Sequence, residues 1–298
     1  MIGTGAKTMD KIRKHGGRGF TLVELLTVLA ILMMLLGLMV PSLNMARRFA
    51  KETKQKAQLA TIGAALTVFR SDYGDYPPSD RTSHEAWSPP PAWAGNYTGA
   101  QKLCEAMLGW DLMGFHPRSG WRADGHDINQ QPLYTLDEAS LRERRGRYLE
   151  LATVDAFRLD EIFDPKILAG SLNGNCHVLC DVFRQKKVNV NAGAPILYYR
   201  ANTASKILTA PGVAVKDQIY NDSDNMDLIT VQYWADHTAL PVSYNPLLDH
   251  TGAGFYKYIQ DLKVLRAVWP YRPDSYLLIT AGADGLYGTS DDICNFGN

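Results

Sequence analysis

Residues 20–40 read FTLVELLTVLAILMMLLGLMV, an apolar run of 21 residues whose only charge is Glu24. As a helix rising ~1.5 Å per residue it is about 31 Å long, enough to cross a hydrocarbon core of about 30 Å. No other stretch of the chain approaches that length without charges. The residues before it hold Lys7, Lys11, Arg13, Lys14 and Arg18 against a single acid, Asp10. A basic flank ahead of an apolar span keeps residues 1–19 on the cytoplasmic side and carries everything after Val40 across.

The whole chain has 298 residues, with 31 Lys+Arg against 31 Asp+Glu. That zero is a sum over unlike parts, because residues 1–19 carry a surplus of four positive charges and the remainder an equal negative surplus. An acidic remainder argues against a nucleic-acid-coating protein, which needs a basic excess. With 46% apolar residues the chain is neither disordered nor collagen-like, and four cysteines do not make a disulfide-stapled miniprotein.

A secretory signal peptide is one reading of a basic flank followed by an apolar run. Three details oppose it. The run exceeds the ~7–15 residues of a signal-peptide core, a carboxylate sits five residues into it, and the helical pattern continues beyond it without a small-residue cleavage site. An ordinary single-pass anchor fits the length but gives no reason for Glu24.

Gly19-Phe20-Thr21-Leu22-Val23-Glu24-Leu25-Leu26 resembles the prepilin motif of type IV pilins and type II secretion pseudopilins. The resemblance implies that a prepilin peptidase cuts between Gly19 and Phe20 and methylates the new amine. Glu24 then becomes the fifth residue of the mature chain and Pro41 the twenty-second, where the family commonly has a glutamate and a helix-kinking proline. A carboxylate in an apolar span is tolerable when it has a partner, either in its own first helical turn or in a positive charge. In the family that partner is the Phe20-type amine of a neighbouring subunit, which makes Glu24 and Pro41 assembly residues.

Beyond Pro41, Leu59, Ile62, Leu66 and Phe69 recur at spacings of 3, 4 and 3, a stripe for docking on a globular part. The phrase from Asp72 to Pro77 ends the helix with glycine and proline, and it too resembles the end of a pseudopilin stem. The expected organisation is a leader at 1–19, a transmembrane stem at 20–40, an outer stem at 41–70 and a head at 71–298. An insertion of about 77–188 accounts for the size of that head. It opens on Trp87, Pro89, Pro90, Pro91 and Trp93, runs through a short helix around 100–110, and includes an arginine-rich stretch at 142–147 read as a solvated face. Residues 195–200 and 275–280 are β-favouring runs bounded by breakers. The fold class expected is α+β, a long stem helix packed on an antiparallel β-sheet head, as in pilins.

Near the C-terminus, residues 281–293 place Asp284, Asp291 and Asp292 among glycines. Hard Ca²⁺ takes ~6–8 oxygen ligands, and the pattern is not an EF-hand. The segment resembles the calcium loop of the major pseudopilin, which implies Ca²⁺ held by those three carboxylates and by the carbonyls of Ala281 and Thr289. A second acidic group, Asp222, Asp224 and Asp227, lacks glycines and reads as a solvated hairpin loop.

Cys104, Cys176, Cys180 and Cys294 fall on the outer side, where disulfides are permitted, and four cysteines allow three connectivities. No nucleophile elbow, phosphate loop or zinc-protease motif is present, so no catalytic residues are expected. The resemblance implies a non-enzymatic filament subunit for protein secretion. It would be held in the inner membrane by one pass with its head in the periplasm, and partnered by prepilin peptidase, other pilin subunits and an inner-membrane assembly platform, with no nucleic acid. The alternatives are a minor tip subunit that contacts substrate, or a tethered binding or adhesion module whose ligand site is lined by Trp87, Trp93, Trp110 and Trp121.

Overall fold

The structure, a computed structural model, describes residues 19–81, 96–208, 218–236, 247 and 253–297. The leader before Gly19 and the stretch with Trp87, Pro89, Pro90, Pro91 and Trp93 lie outside these. The chain divides into two units, Met1–Phe49 and Ala50–Asn298. Helix α1 (Leu22–Tyr73) begins in the first and ends in the second.

In the first unit no described side chain is buried, including every apolar residue from Leu22 to Val40. A helix segment that is apolar on all sides is suited to lipid. Pro41 sits inside α1 without ending it. One residue on, the Ser42 hydroxyl donates to the Leu38 carbonyl at 2.9 Å.

In the second unit, the stripe read from the sequence is the buried face of the helix. Leu59, Ile62, Leu66 and Phe69 are all buried, joined by Ala65 and by two glutamines, Gln55 and Gln58. The helix ends at Tyr73, where Gly74 donates its N–H to the Arg70 carbonyl at 2.8 Å.

The strands that receive this face are antiparallel, in three small sheets instead of one. β1 (Asp155–Arg158) pairs with β2 (His177–Cys180), and β3 (Gln185–Lys186) with β4 (Asn191–Ala192). The third sheet has the order β5 (Leu197–Arg200), β6 (Tyr276–Thr280), β7 (Ile293–Cys294). Register pairs Leu197 with Ile279 and Tyr199 with Leu277. Strand alternation sends Tyr198, Tyr276 and Leu278 into the core shared with Leu59, Ile62, Leu66 and Phe69 of α1. Leu197, Tyr199, Leu277 and Ile279 point into a second core with α6 (Met226–Asp236) and α7 (Ala253–Tyr258). The β5–β6–β7 sheet is thus buried on both faces, which explains its unbroken apolar runs. Helix and sheet approach so closely that a Cβ on Gly63 would stand 2.9 Å from the Tyr276 hydroxyl.

The segment read as an insertion supplies a central element. All ten residues of α2 (Gly99–Leu108) are buried, and it packs on β2 and β5. Glu105 within it is buried, accepting hydrogen bonds from the hydroxyls of Tyr97 (2.6 Å), Ser119 (2.6 Å) and Tyr134 (2.7 Å). Three short charge-directed bonds compensate a carboxyl whose titration burial pushes upward. The arginine stretch is not wholly solvated. α3 (Glu138–Glu143) is exposed, but Arg144 after it is buried and clasps Asp111 through Nη1 at 2.7 and 2.9 Å. α4 (Leu159–Ile162) and α5 (Pro165–Leu168) follow β1 in the chain, α4 packing on β1 and α5 on α6.

The acidic group read as a solvated hairpin loop is corrected by the structure. Asp222–Asp224 form a 3₁₀ turn that leads into α6, and Asp224 is buried. Asp227 is ion-paired with Arg81 at 2.7 Å.

Candidate functional site

Gly19 and Phe20 are exposed and precede the helix. Thr21 is the reason the helix starts where it does. Its hydroxyl accepts from the Glu24 N–H at 3.2 Å, while Glu24 Oε2 accepts from the Thr21 N–H and hydroxyl, each at 2.8 Å. This reciprocal capping box satisfies two donors that a helix start would otherwise leave open. It also holds the carboxylate one residue from the nitrogen that cleavage after Gly19 would free. In the single chain Glu24 is therefore satisfied within its own first turn. The peptide bond between Gly19 and Phe20 stands clear of the helix.

The C-terminal loop is closed by β6 and β7, which pair Ile279 with Cys294 and Thr280 with Ile293. Gly282 has a φ of +63°, and a Cβ there would meet the Asp291 carbonyl at 2.5 Å and its carboxylate at 2.6 Å. Only glycine admits that approach. Asp291 Oδ2 accepts from the N–H groups of Ala283 (2.7 Å) and Asp284 (3.1 Å), and Oδ1 from the Thr289 hydroxyl (2.7 Å). Asp284 Oδ1 accepts from the Leu286 N–H at 2.8 Å, and the Asp284 and Asp291 carboxyls lie close enough to shift each other's titration. Burial, with Asp291 beside it, raises Asp284. Burial also acts on Asp291, but its Thr289, Ala283 and Asp284 donors outweigh it and hold the group below the usual range. The two carboxyls thus titrate in opposite directions.

Asp292 shares the Thr289 hydroxyl with Asp291, its Oδ1 accepting at 3.2 Å. Its Oδ2 accepts from the Tyr258 hydroxyl and the Gly288 N–H, both at 2.7 Å, and burial pushes its pKa up to about 7. Ala281 is fully buried at the end of β6. Among the described residues no group of three or more His, Cys, Asp or Glu side chains is placed to hold a metal ion. The Thr289 hydroxyl joins Asp291 and Asp292, and Asp292 is further tied to Tyr258.

The expected disulfides are not formed, and all four cysteines are free thiols. Cys176 immediately precedes β2 and Cys180 ends it, about 13 Å apart if extended throughout at ~3.3 Å per residue, against the ~7 Å limit for a bridge. The Cys176 thiol bonds the Ala123 carbonyl at 3.2 Å, Cys104 is buried in α2, and Cys294 lies 3.2 Å from the Tyr258 hydroxyl. Trp110 and Trp121 do not line an open site. Trp110 packs on the core with Nε1 bonded to Ala123, and Trp121 stacks on Phe115 at 5.1 Å. Sequence reasoning missed Gln55 and Gln58, whose one signal is their place on the stripe of Leu59.

No curated protein and no solved structure matches the chain. A family model described as the prokaryotic N-terminal methylation motif matches residues 15–40. That interval takes in Gly19, Phe20, the Thr21–Glu24 capping box and the apolar part of α1 up to Val40. Its matched residues give this chain the prepilin signal of type IV pilins and pseudopilins, a mark of processing by a prepilin peptidase.

Proposed function

We propose that this protein is a structural subunit of a type II secretion pseudopilus or type IV pilus-like filament, and not an enzyme. The observation that carries the reading is the junction at Gly19–Phe20, an exposed peptide bond directly before a capped helix that is apolar on every side up to Val40. Cleavage leaves a positive amine on Phe20, directly before the Thr21–Glu24 box. Assembly then exchanges the internal partner of Glu24 for the amine of a neighbouring subunit, and stems pack through α1. The leader stays cytoplasmic, residues 20–40 span the inner membrane, and the head stands in the periplasm until an assembly platform draws the subunit into the filament.

The reading extends to calcium. Ca²⁺ is held by the Asp284 and Asp291 carboxylates, with the carbonyls of Ala281 and Thr289 as further oxygen ligands, and Asp292 braces the loop through Tyr258. A divalent ion would offset the mutual repulsion of the two carboxylates.

Glu24→Ala tests the assembly step. Cleavage should persist while incorporation into filaments is lost, and normal incorporation would refute it. A minor tip position is the second reading, favoured by the wide polar cleft of the head. Many copies per filament mean a shaft subunit, and one or two mean a tip.

A further inference from the structure

A cleft of about 480 Å³ opens on the head beside the start of α6. Its floor holds two buried oxygens with no hydrogen-bond partner, Asp224 Oδ1 and Gln218 Oε1. The other Asp224 oxygen is fixed, accepting from the Ser79 hydroxyl at 2.5 Å, and that hydroxyl accepts in turn from the Arg200 N–H at 2.9 Å. The next residue, Asn225, is tied to the Ala100 N–H and the Tyr198 carbonyl at 2.8 and 2.7 Å. Asp224 is thus held in one orientation by the core elements α2 and β5.

An unpaired buried acceptor costs about 1–3 kcal/mol, and two lining one cleft call for a ligand that brings donors. The charges nearby decide which kind. Lys102 is spent on Asp80 at 3.3 Å, Arg200 on Asp75 at 3.3 Å and Arg81 on Asp227 at 2.7 Å. Asp224 has no ion-pair partner among the described residues. Burial, with the Asp80 and Asp222 carboxylates nearby, raises its pKa to about 7, against the Ser79 hydroxyl bond and the Lys102 charge that pull it down. The volume lies within the ~300–1,000 Å³ of small-ligand sites, and the walls are mostly polar side chains rather than aromatic rings.

We propose that this cleft binds a primary ammonium or guanidinium group, whose N–H donors satisfy Asp224 Oδ1 and Gln218 Oε1 together and whose charge neutralises Asp224. The same chemistry is available from a free small amine or from a lysine or arginine side chain presented by another polypeptide.

The test is calorimetric titration of the full-length protein in detergent with n-butylamine and methylguanidinium, against n-butanol and methylurea as neutral equivalents. A blocked Gly-Arg-Gly peptide forms a further arm. Saturable binding of the cations, at least about tenfold tighter than the neutral compounds, is expected, and Asp224→Asn should remove that preference. Gln218→Met should weaken cation binding by a smaller factor while leaving the preference for charge. Tighter binding of the peptide than of methylguanidinium assigns the site to a polypeptide partner, and the reverse assigns it to a small amine. Equal binding of cations and neutral compounds, no saturable binding of either cation, or full binding by folded Asp224→Asn would overturn the proposal. The comparison of cation with neutral analogue on the unmodified protein decides the matter even if a variant fails to fold.

Discussion

Gln58 of the stem helix donates its side-chain Nε2 to the backbone carbonyl of Cys180, at 3.0 Å and away from solvent. One turn earlier Gln55 Oε1 accepts from the Val182 N–H at 2.9 Å. Between them the two glutamines satisfy the backbone where β2 leaves its ladder. Replacing Gln55 with Leu strands a buried N–H. We expect a loss of about 1–3 kcal/mol in stability, read by denaturant unfolding of the purified protein. N-terminal processing should be unaffected, since it draws on a different part of α1.

Ile62 is fully buried between α1 and the sheet. Ile62→Ala should cost about 2–5 kcal/mol, with a matching fall in the midpoint of thermal unfolding. Val68, exposed on the same helix, should tolerate alanine with a change of no more than about 0.5 kcal/mol.

Asp181 gives the head a pH dependence of known sign. Its side chain is buried, Oδ1 accepts from the Phe183 N–H at 2.9 Å, and Oδ2 has no partner. Burial raises its pKa to about 7, while in the unfolded chain it titrates near ~3.9. Between those values the folded state holds a proton that the unfolded state has lost. Its contribution is therefore complete at pH 4 and falls as pH rises to about 7, by at most ~1.4 kcal/mol per pH unit. The measurement is the difference in unfolding free energy between the protein and Asp181→Asn across that window. A difference that stays constant would contradict the assignment.

The C-terminal loop makes a separate prediction. Added Ca²⁺ should raise the unfolding temperature and chelator should reverse the rise, with about 2.7 kcal/mol gained at a hundredfold excess over Kd. Asp291→Ala should abolish the response. Asp292→Asn should keep it with a lower baseline stability, because that side chain braces Tyr258.

What could be read in advance follows from which residues advertise their environment. Leu59, Ile62, Leu66 and Phe69 marked the buried face of the stem because apolar spacing reports a core directly. The β5 and β6 runs were visible for the same reason, and their burial on both faces follows from α6 and α7. Gln55 and Gln58 lie on the same face but count as polar in any periodicity, so their role needed the position of Cys180 and Val182. Asp224 resembled its half-buried neighbour Asp222, and only tertiary contact with Ser79 sets it apart. The glycines of the C-terminal loop foretold its sharp bending, yet not that Asp292 would turn to Tyr258, which is 34 residues distant in sequence. The cysteines misled because chain order says nothing of the reach across an extended strand.

The central claim concerns a single peptide bond. Mass spectrometry of the protein recovered from membranes of cells that hold a prepilin peptidase reads it directly. The account predicts a chain that begins at Phe20, with a mass increase of one methyl group on that residue. A chain that retains residues 1–19, or one cut beyond Val40 as a secretory signal would be, would contradict it.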